Sequence, residues 1–338
     1  METIVLKFGG TSVGTTDRIS AVADLIQAAS KEAFPVVVVS AMSGETNRLI
    51  DLAQSFGSEP NKREFDALVS TGEKVSASLV AIALNHLGLK AKSLSAAQFG
   101  MKTTSHFSRA KILDMNNDIL FQTIEEGYIP IITGFQGITV DGDTTTMGRG
   151  GSDTTAVAIA ASIEAKRCDI YTDVDGIYTT DPRIVPEAKK LDSISMEEML
   201  ELSGQGAKVI QIRAVEFANK YNVLVRVLSS FEPGSGTLIL QEEEGMEDAV
   251  ITGIASQTDQ TKFTLHGVAD TPGIASGILS PISDEGIEVD VIVQNISVSN
   301  KTDFTFTVAT NDRPQVEAVL KEKMKDISYD ELIIDEAI

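Results

Sequence analysis

The chemistry-bearing stretch nearest the N-terminus is Lys7-Phe8-Gly9-Gly10-Thr11-Ser12-Val13-Gly14, which follows the apolar run Ile4–Phe8. Adjacent glycines let the backbone adopt positive φ and approach a ligand closely, while a lysine and two hydroxyls beside free N–H groups suit phosphate oxygens. A tight strand-to-helix turn with a solvated lysine fits the same residues. Neither GxGxxG nor GxxxxGK[ST] occurs, which disfavours a dinucleotide-binding dehydrogenase and a P-loop NTPase.

Three further stretches carry possible partners. Gly148-Arg149-Gly150-Gly151-Ser152-Asp153 leads into a helix expected to run to Ala165. Ser152 or Asp153 would cap that helix, and Arg149 could hold a carboxylate or phosphate through two parallel bonds; a capped helix with a surface arginine is the simpler alternative. Thr172-Asp173-Val174-Asp175-Gly176-Ile177-Tyr178, continuing to Asp181-Pro182-Arg183, begins where a strand ends, the edge at which open α/β sheets bind ligands. There an Asp-Gly turn and a packed tyrosine are equally compatible. Ser70-Thr71-Gly72-Glu73-Lys74 places Glu73 near the start of a long helix, where helix capping is its default role.

Composition narrows the function classes. The chain has 338 residues, enough for two domains, and a net charge of −21, which disfavours nucleic acid or an anionic membrane as a partner. The lone cysteine, Cys168, lies in an apolar run and rules out an internal disulfide. His86, His106 and His266 show no metal-binding or triad spacing, so no protein-held metal is expected. The sequence shows neither a signal peptide nor an apolar stretch of membrane-spanning length, so a cytoplasmic location is expected.

The elements that must position these residues alternate between strand and helix. Apolar runs at Ile4–Phe8, Pro35–Ser40, Tyr128–Thr133, Asp169–Asp173 and Val223–Leu228 read as strands. Helical patterns near Arg18–Ala33, from Lys62 to Leu87, from Asp153 to Ala165 and around Ser195–Tyr221 separate them. Val36-Val37-Val38-Val39 has no polar alternation, as in a strand covered on both faces, and the class is α/β with a mainly parallel sheet flanked by helices. Beyond the turn-rich Phe231–Thr237 the order becomes βαββαβ, a ferredoxin-like unit. The expected division is an α/β domain at 1–230, a linker at 231–248 and a ferredoxin-like domain at 249–338.

The motifs Lys7-Phe8-Gly9-Gly10-Thr11-Ser12, Val39-Ser40-Ala41-Met42, Gly134-Phe135-Gln136-Gly137, Gly148–Asp153 and Tyr171–Arg183 together resemble the aspartate kinases of the amino acid kinase family. The resemblance spans most of residues 1–230. It implies ATP-dependent phosphorylation of the side-chain carboxylate of L-aspartate, with Mg²⁺ carried in by ATP. It implies that Lys7 and Lys208 contact the transferring phosphate, and that Gly9, Gly10, Ser12, Ser40 and Thr46 line the pocket. Arg149 with Ser152 would hold the substrate's α-carboxylate, Glu73 would sit near its α-amino group, and Asp153 would order the charged cluster. Thr172, Asp173, Tyr178 and Arg183 match the nucleotide-binding segment. An aspartate carboxylate, with a solution pKa near 3.9, is already ionised at neutral pH and needs no general base. A kinase of the same fold acting on glutamate or N-acetylglutamate, and an amino-acid-sensing module without turnover, are the alternatives.

The C-terminal part resembles the ACT domain and holds one complete unit where regulated members carry two. Asp270, Asp290, Gln294 and Asn295 match the family's effector lining, and Thr271 with Pro272 reads as a helix start. A lone unit leaves the strand expected at Ala249–Ala255 unpaired, and an unpaired apolar strand recruits another chain, so a homodimer is expected, with a weak response or none to lysine and threonine.

Overall fold

The computed structural model describes residues 2–57, 59–207, 209–241, 252–257, 259–295, 300–323 and 327–336. The chain divides into two compact units, Met1–Ala255 and Ser256–Ile338.

The larger unit is built on an eight-stranded sheet whose strands lie side by side in the order Ser193–Ser195, Thr237–Leu240, Val225–Ser229, Cys168–Thr172, Thr3–Phe8, Phe34–Val39, Ile129–Thr133 and Ala91–Leu94. Every pairing is parallel except that of Val225–Ser229 with Thr237–Leu240. Because side chains alternate along a strand, the central strands feed two separate cores. Ile4, Leu6, Phe8, Val37 and Val39 pack with Ile19, Val22 and Ile26 of helix Thr16–Ala29 and with Val80 and Leu84 of helix Thr71–His86. Val5, Val36 and Val38 pack on the other face with Val157 and Ile159 of helix Gly151–Ser162 and Val215 of helix Ile212–Tyr221. The run of four valines is buried throughout, as a strand covered on both faces requires. The same alternation sends Lys7, two residues after Val5, to the face of helix Gly151–Ser162.

Several elements differ from the sequence expectation. Thr237–Leu240, expected inside a linker, is a strand of the main sheet, locked in because the Thr237 hydroxyl donates to Leu191 O (2.6 Å) and accepts from Ile177 N (2.9 Å). Of the strand expected at Ala249–Ala255, residues 249–251 lie outside the described residues, and Thr252–Ala255 forms no strand. That segment instead packs as part of the larger unit, with Ile254 N donating to Thr179 O (2.8 Å) and the Thr252 hydroxyl to Glu198. A second sheet of four short strands, Ile112–Met115, Met101–Thr103, Gln136–Ile138 and Thr144–Thr146, carries too few residues per strand for periodicity to reveal it. The segment Lys62–His86 is long and apolar enough to cross a membrane by length and composition, contrary to expectation. Half of it is buried, and Ala77, Val80 and Leu84 sit in the core, which accounts for its apolarity as a core helix.

The smaller unit has the order strand Gln260–Ala269, helix Ile274–Asp284, strands Val289–Gln294 and Lys301–Ala309, helix Arg313–Lys323 and strand Glu331–Asp335. Its sheet is antiparallel throughout, and Phe263, Phe304 and Phe306 pack against Ile278, Ile282 and Val316 from the helices. The expected helix start at Thr271 and Pro272 is displaced. Gly273, at φ +90°, a conformation glycine adopts at no steric cost, takes the N-cap position and the helix begins at Ile274.

At the start of the central strands, Asp169 is 1 % exposed and accepts from Arg167 Nε (2.9 Å) and from Arg226 Nε and Nη2 (2.9 and 2.7 Å). Arg167 also binds Glu32, whose hydrogen bonds to that guanidinium lower its pKa from 4.5 to about 2. Replacing Asp169 with Asn leaves the buried Arg167 and the partly exposed Arg226 short of a counter-charge. Urea unfolding of D169N should show a loss of about 3–5 kcal/mol. Glu32 is half exposed and contributes little, and its share is present above pH 4.5 and fades as pH falls towards 2. E32Q should accordingly lower stability slightly at pH 8 and flatten the acid limb of the stability curve, the two proteins converging towards pH 2.

Candidate active site

The strands Thr3–Phe8, Phe34–Val39, Ile129–Thr133, Cys168–Thr172 and Val225–Ser229 all end at one edge of the sheet, so the loops that follow them converge there. Chain order reverses across Thr3–Phe8, whose neighbours are Phe34–Val39 and Cys168–Thr172. At its end, Lys7 Nζ lies 2.5 Å from Asp153 Oδ1, both side chains only about a tenth exposed. Asp153 stands in the first turn of helix Gly151–Ser162, and its other oxygen accepts from Gln211 N (3.4 Å). Neither Ser152 nor Asp153 caps that helix, as had been expected. Gly150, at φ +67°, stands at its N-terminus instead, while Asp153 pairs with Lys7 and Ser152 packs on Gly134.

The glycine loop is drawn against its neighbours by backbone bonds. Gly9 N donates to Tyr171 O (3.2 Å), Ser43 N to Gly10 O (3.1 Å) and Ser40 N to Phe8 O (3.1 Å). A Cβ on Gly10 would stand 2.9 Å from Ala41 O, so the approach requires glycine there. Ser12 is fully buried, its hydroxyl 2.7 Å from that of Ser230. Ser40 O accepts from Ser76 Oγ (2.6 Å), and Thr46 lies half-buried in the first turn of helix Glu45–Gln54.

Glu73 is not spent on capping alone. It is 3 % exposed, and Oε1 accepts from Ala41 N (3.1 Å) in the neighbouring loop, while Oε2 is buried without a hydrogen-bond partner. Burial pushes its pKa up to about 7, against the pull of the backbone N–H groups. That leaves one buried carboxylate oxygen open beside the loop after strand Phe34–Val39.

Arg149 is exposed at the tip of a loop between two left-handed glycines, Gly148 (φ +78°) and Gly150. The loop itself is firmly held. Arg213 donates to Met147 O (2.9 Å) and Ala110 O (3.2 Å), and the fully buried Asp66 accepts four bonds of 2.7 to 3.0 Å from Thr146 and Ser108. Gly134 packs directly on Ser152, where a Cβ would lie 2.6 Å from Oγ and 3.0 Å from Cα.

The segment after Cys168–Thr172 carries a second polar group. Tyr178 Oη donates to Asp175 Oδ1 (3.0 Å), and Lys190 Nζ meets Asp175 Oδ2 (3.2 Å). Thr172 Oγ1 donates to the exposed Asp173 (3.0 Å). Arg183 stands on an exposed turn with its guanidinium held by Asp181 (2.6 Å). Lys208 lies outside the described residues. Sequence reading missed Asp66, Gln211, Arg213 and Ser230, which act through contacts across 42 to 218 residues of sequence and carry no local pattern.

Residues 2–229 match the amino acid kinase family and residues 264–325 the ACT domain. An aspartate kinase of Pseudomonas putida is 51 % identical over 341 residues, covering 100 % of this chain and 83 % of its own length. The chain belongs to the amino acid kinase family, among its aspartate kinases. The crystal structure of aspartate kinase from Synechocystis is 39 % identical with a TM-score of 0.64, covering 98 % of this chain, which spans 58 % of that one. Escherichia coli aspartokinase III in complex with aspartate and ADP is 28 % identical with a TM-score of 0.83, covering 98 % of this chain and 87 % of that one. The same enzyme in complex with lysine and aspartate superposes with a TM-score of 0.77.

In the ACT unit of this aspartate kinase, Asp270 follows strand Gln260–Ala269, while Asp290 and Gln294 lie on the edge strand Val289–Gln294 and Asn295 just past it. Asp290 accepts from Gln260 Nε2 (2.8 Å), Asp270 N donates to Asn300 O (2.9 Å) and Asn295 N to Asp303 O (3.2 Å).

The Gly134–Ser152 contact gives a direct test of how tightly the loops must approach. G134A forces the start of helix Gly151–Ser162 away from the sheet. Aspartate kinase turnover should fall about a hundredfold, with the far-ultraviolet circular dichroism spectrum unchanged.

Proposed function

We propose that this aspartate kinase transfers the γ-phosphate of ATP to the side-chain carboxylate of L-aspartate at the Lys7–Asp153 cluster. The observation that carries the reading is a buried lysine fixed by a helix-borne aspartate, at the end of the central strand and beside a glycine loop. Lysine has three N–H donors. One is engaged by Asp153, and the others are available to phosphate oxygens as charge moves from the γ- to the β-phosphate. Lys208 is assigned the same duty from the resemblance alone. Gly10 and Ser12 supply neutral donors, Gly9, whose N–H is held by Tyr171 O, lets the loop come close, and Thr172, Asp173, Tyr178 and Arg183 hold the nucleotide.

The acceptor is held at both ends of its backbone. Arg149 with Ser152 takes the α-carboxylate, and the open Oε2 of Glu73 takes the α-ammonium, with Ser40 and Thr46 beside the reacting carboxylate. An acetylated nitrogen carries no charge for Glu73 to meet, which favours a free amino acid over N-acetylglutamate. In the transfer, a carboxylate oxygen bonds to Pγ as the bond from Pγ to the β-phosphate oxygen breaks, and ADP leaves with the electron pair. No proton moves, so no general base is required. Mg²⁺ bound by the nucleotide neutralises phosphate charge, and among the described residues no group of three or more His, Cys, Asp or Glu stands ready to cage a metal. Asp270, Asp290, Gln294 and Asn295 are assigned to an effector site, and a homodimer is the assembly proposed, to be checked by sedimentation.

With MgATP and millimolar aspartate, hydroxylamine trapping should yield the aspartyl hydroxamate, and absence of product would overturn the reading. K7A should lower kcat by about 10²–10³ with the fold retained.

Glu73 adds a pH signature. Its folded value near 7 lies above the ordinary 4.5, so its protonated form stabilises the ligand-free fold fully below pH 4.5, and that contribution is lost as pH rises through 7. Aspartate binding needs the ionised form. For aspartate, kcat/KM should therefore rise with pH through an apparent pKa near 7, and E73Q should raise KM and abolish that limb.

A further inference from the structure

The end of strand Val225–Ser229 bears on the glycine loop through one residue. Ser230 is 6 % exposed, and its hydroxyl oxygen lies 2.7 Å from Ser12 Oγ and 3.3 Å from Thr172 O. Its backbone N–H already donates to Thr172 O (3.0 Å), and its carbonyl accepts from Arg18 Nη2 (2.5 Å), whose guanidinium lies over the Phe231 ring at 3.9 Å. Ser230 is thus clamped from both sides of its backbone, and only its hydroxyl proton is free to choose a partner.

Two arrangements of protons satisfy these distances. In one, Ser230 donates to Thr172 O and Ser12 donates to Ser230. In the other, Ser230 donates to Ser12, and the Ser12 proton is free to point into the glycine loop. Thr172 O keeps the Ser230 N–H in both, so the exchange leaves no carbonyl unpaired. A phosphate oxygen only accepts, so Ser12 can bond to it only in the second arrangement.

We propose that Ser230 is a positioning residue for the nucleotide, donating its hydroxyl proton to Ser12 so that the Ser12 hydroxyl is turned towards phosphate. Two short rotations about C–O bonds switch the pair between the ligand-free and the phosphate-bound arrangement, and no covalent bond changes. The relay also ties the glycine loop to Thr172, where the nucleotide segment begins, so the two halves of the nucleotide site are held at one spacing. The inference rests on the assignment of Ser12 to the phosphate loop.

Steady-state kinetics of S12A, S230A, S230T and the S12A/S230A double variant test it, with thermal melts alongside. S230A should raise the KM for ATP about tenfold, one hydrogen bond's worth, and leave the KM for aspartate unchanged. S230T, which keeps the hydroxyl, should restore the KM for ATP, and the double variant should be no worse than S12A alone. An additive double variant, or an S230A enzyme that melts earlier with an unchanged KM for ATP, overturns the relay and leaves Ser230 merely structural. An S12A enzyme with an unchanged KM for ATP overturns the assignment of Ser12 itself, and the relay with it.

Discussion

The site depends on a single ion pair, Lys7 with Asp153, made where the central strand meets the first turn of a helix buried along its length. A lysine taken out of water retains its charge most readily beside a carboxylate, and a carboxylate in a helix's first turn is favoured by the dipole. Each group thereby stabilises the other's burial. The pair also registers sheet against helix, because a shift of one residue along the strand would turn Lys7 to the opposite face, into a core of Ile, Val and Leu.

Around that pair, the architecture converts sequence-distant loops into one surface. A parallel sheet brings all its strand ends to one side. Here the glycine loop, the Ser40 loop, the Gly134–Phe135 turn, Thr172 and Ser230 meet within hydrogen-bonding or van der Waals reach of their neighbours. Phe135 is a bulky residue at φ +70°, an uncommon conformation that redirects the chain from the main sheet into the smaller one. Its backbone is pinned at both ends, with N donating to Thr155 Oγ1 (3.2 Å) and O accepting from Met147 N (2.9 Å). The rigidity lies in the supports, while Glu73 Oε2 and the Arg149 side chain are left open.

A chain of net charge −21 that handles ATP must concentrate its positive charge. Among the described residues the two buried cations are each held by a defined acceptor, Lys7 by Asp153 and Arg167 by Glu32 and Asp169, and the half-buried Arg213 is held by two carbonyl oxygens. Arg167 stands at the start of the strands and Lys7 at their ends, so one sheet carries a buried ion pair at each edge.

By itself the sequence determined the class and the order of parts. Four consecutive valines, glycines after strand-like runs and the switch to βαββαβ are local signals, and local sterics and burial turn them into strands, turns and helices without reference to distant residues. The motifs near Lys7, Arg149 and Thr172 were legible for the same reason. Only the tertiary structure decided which face Lys7 takes, that Gly150 rather than Ser152 or Asp153 ends its helix, and that Thr237–Leu240 belongs to the sheet. It also decided the chemistry of Glu73, because a pKa near 7 comes from desolvation by side chains that meet it only in the folded chain. Asp66, Arg213 and Ser230 have no sequence signature because their partners lie from 42 to 218 residues away. Pairing at that range is written in how the two cores pack, not in any window of sequence.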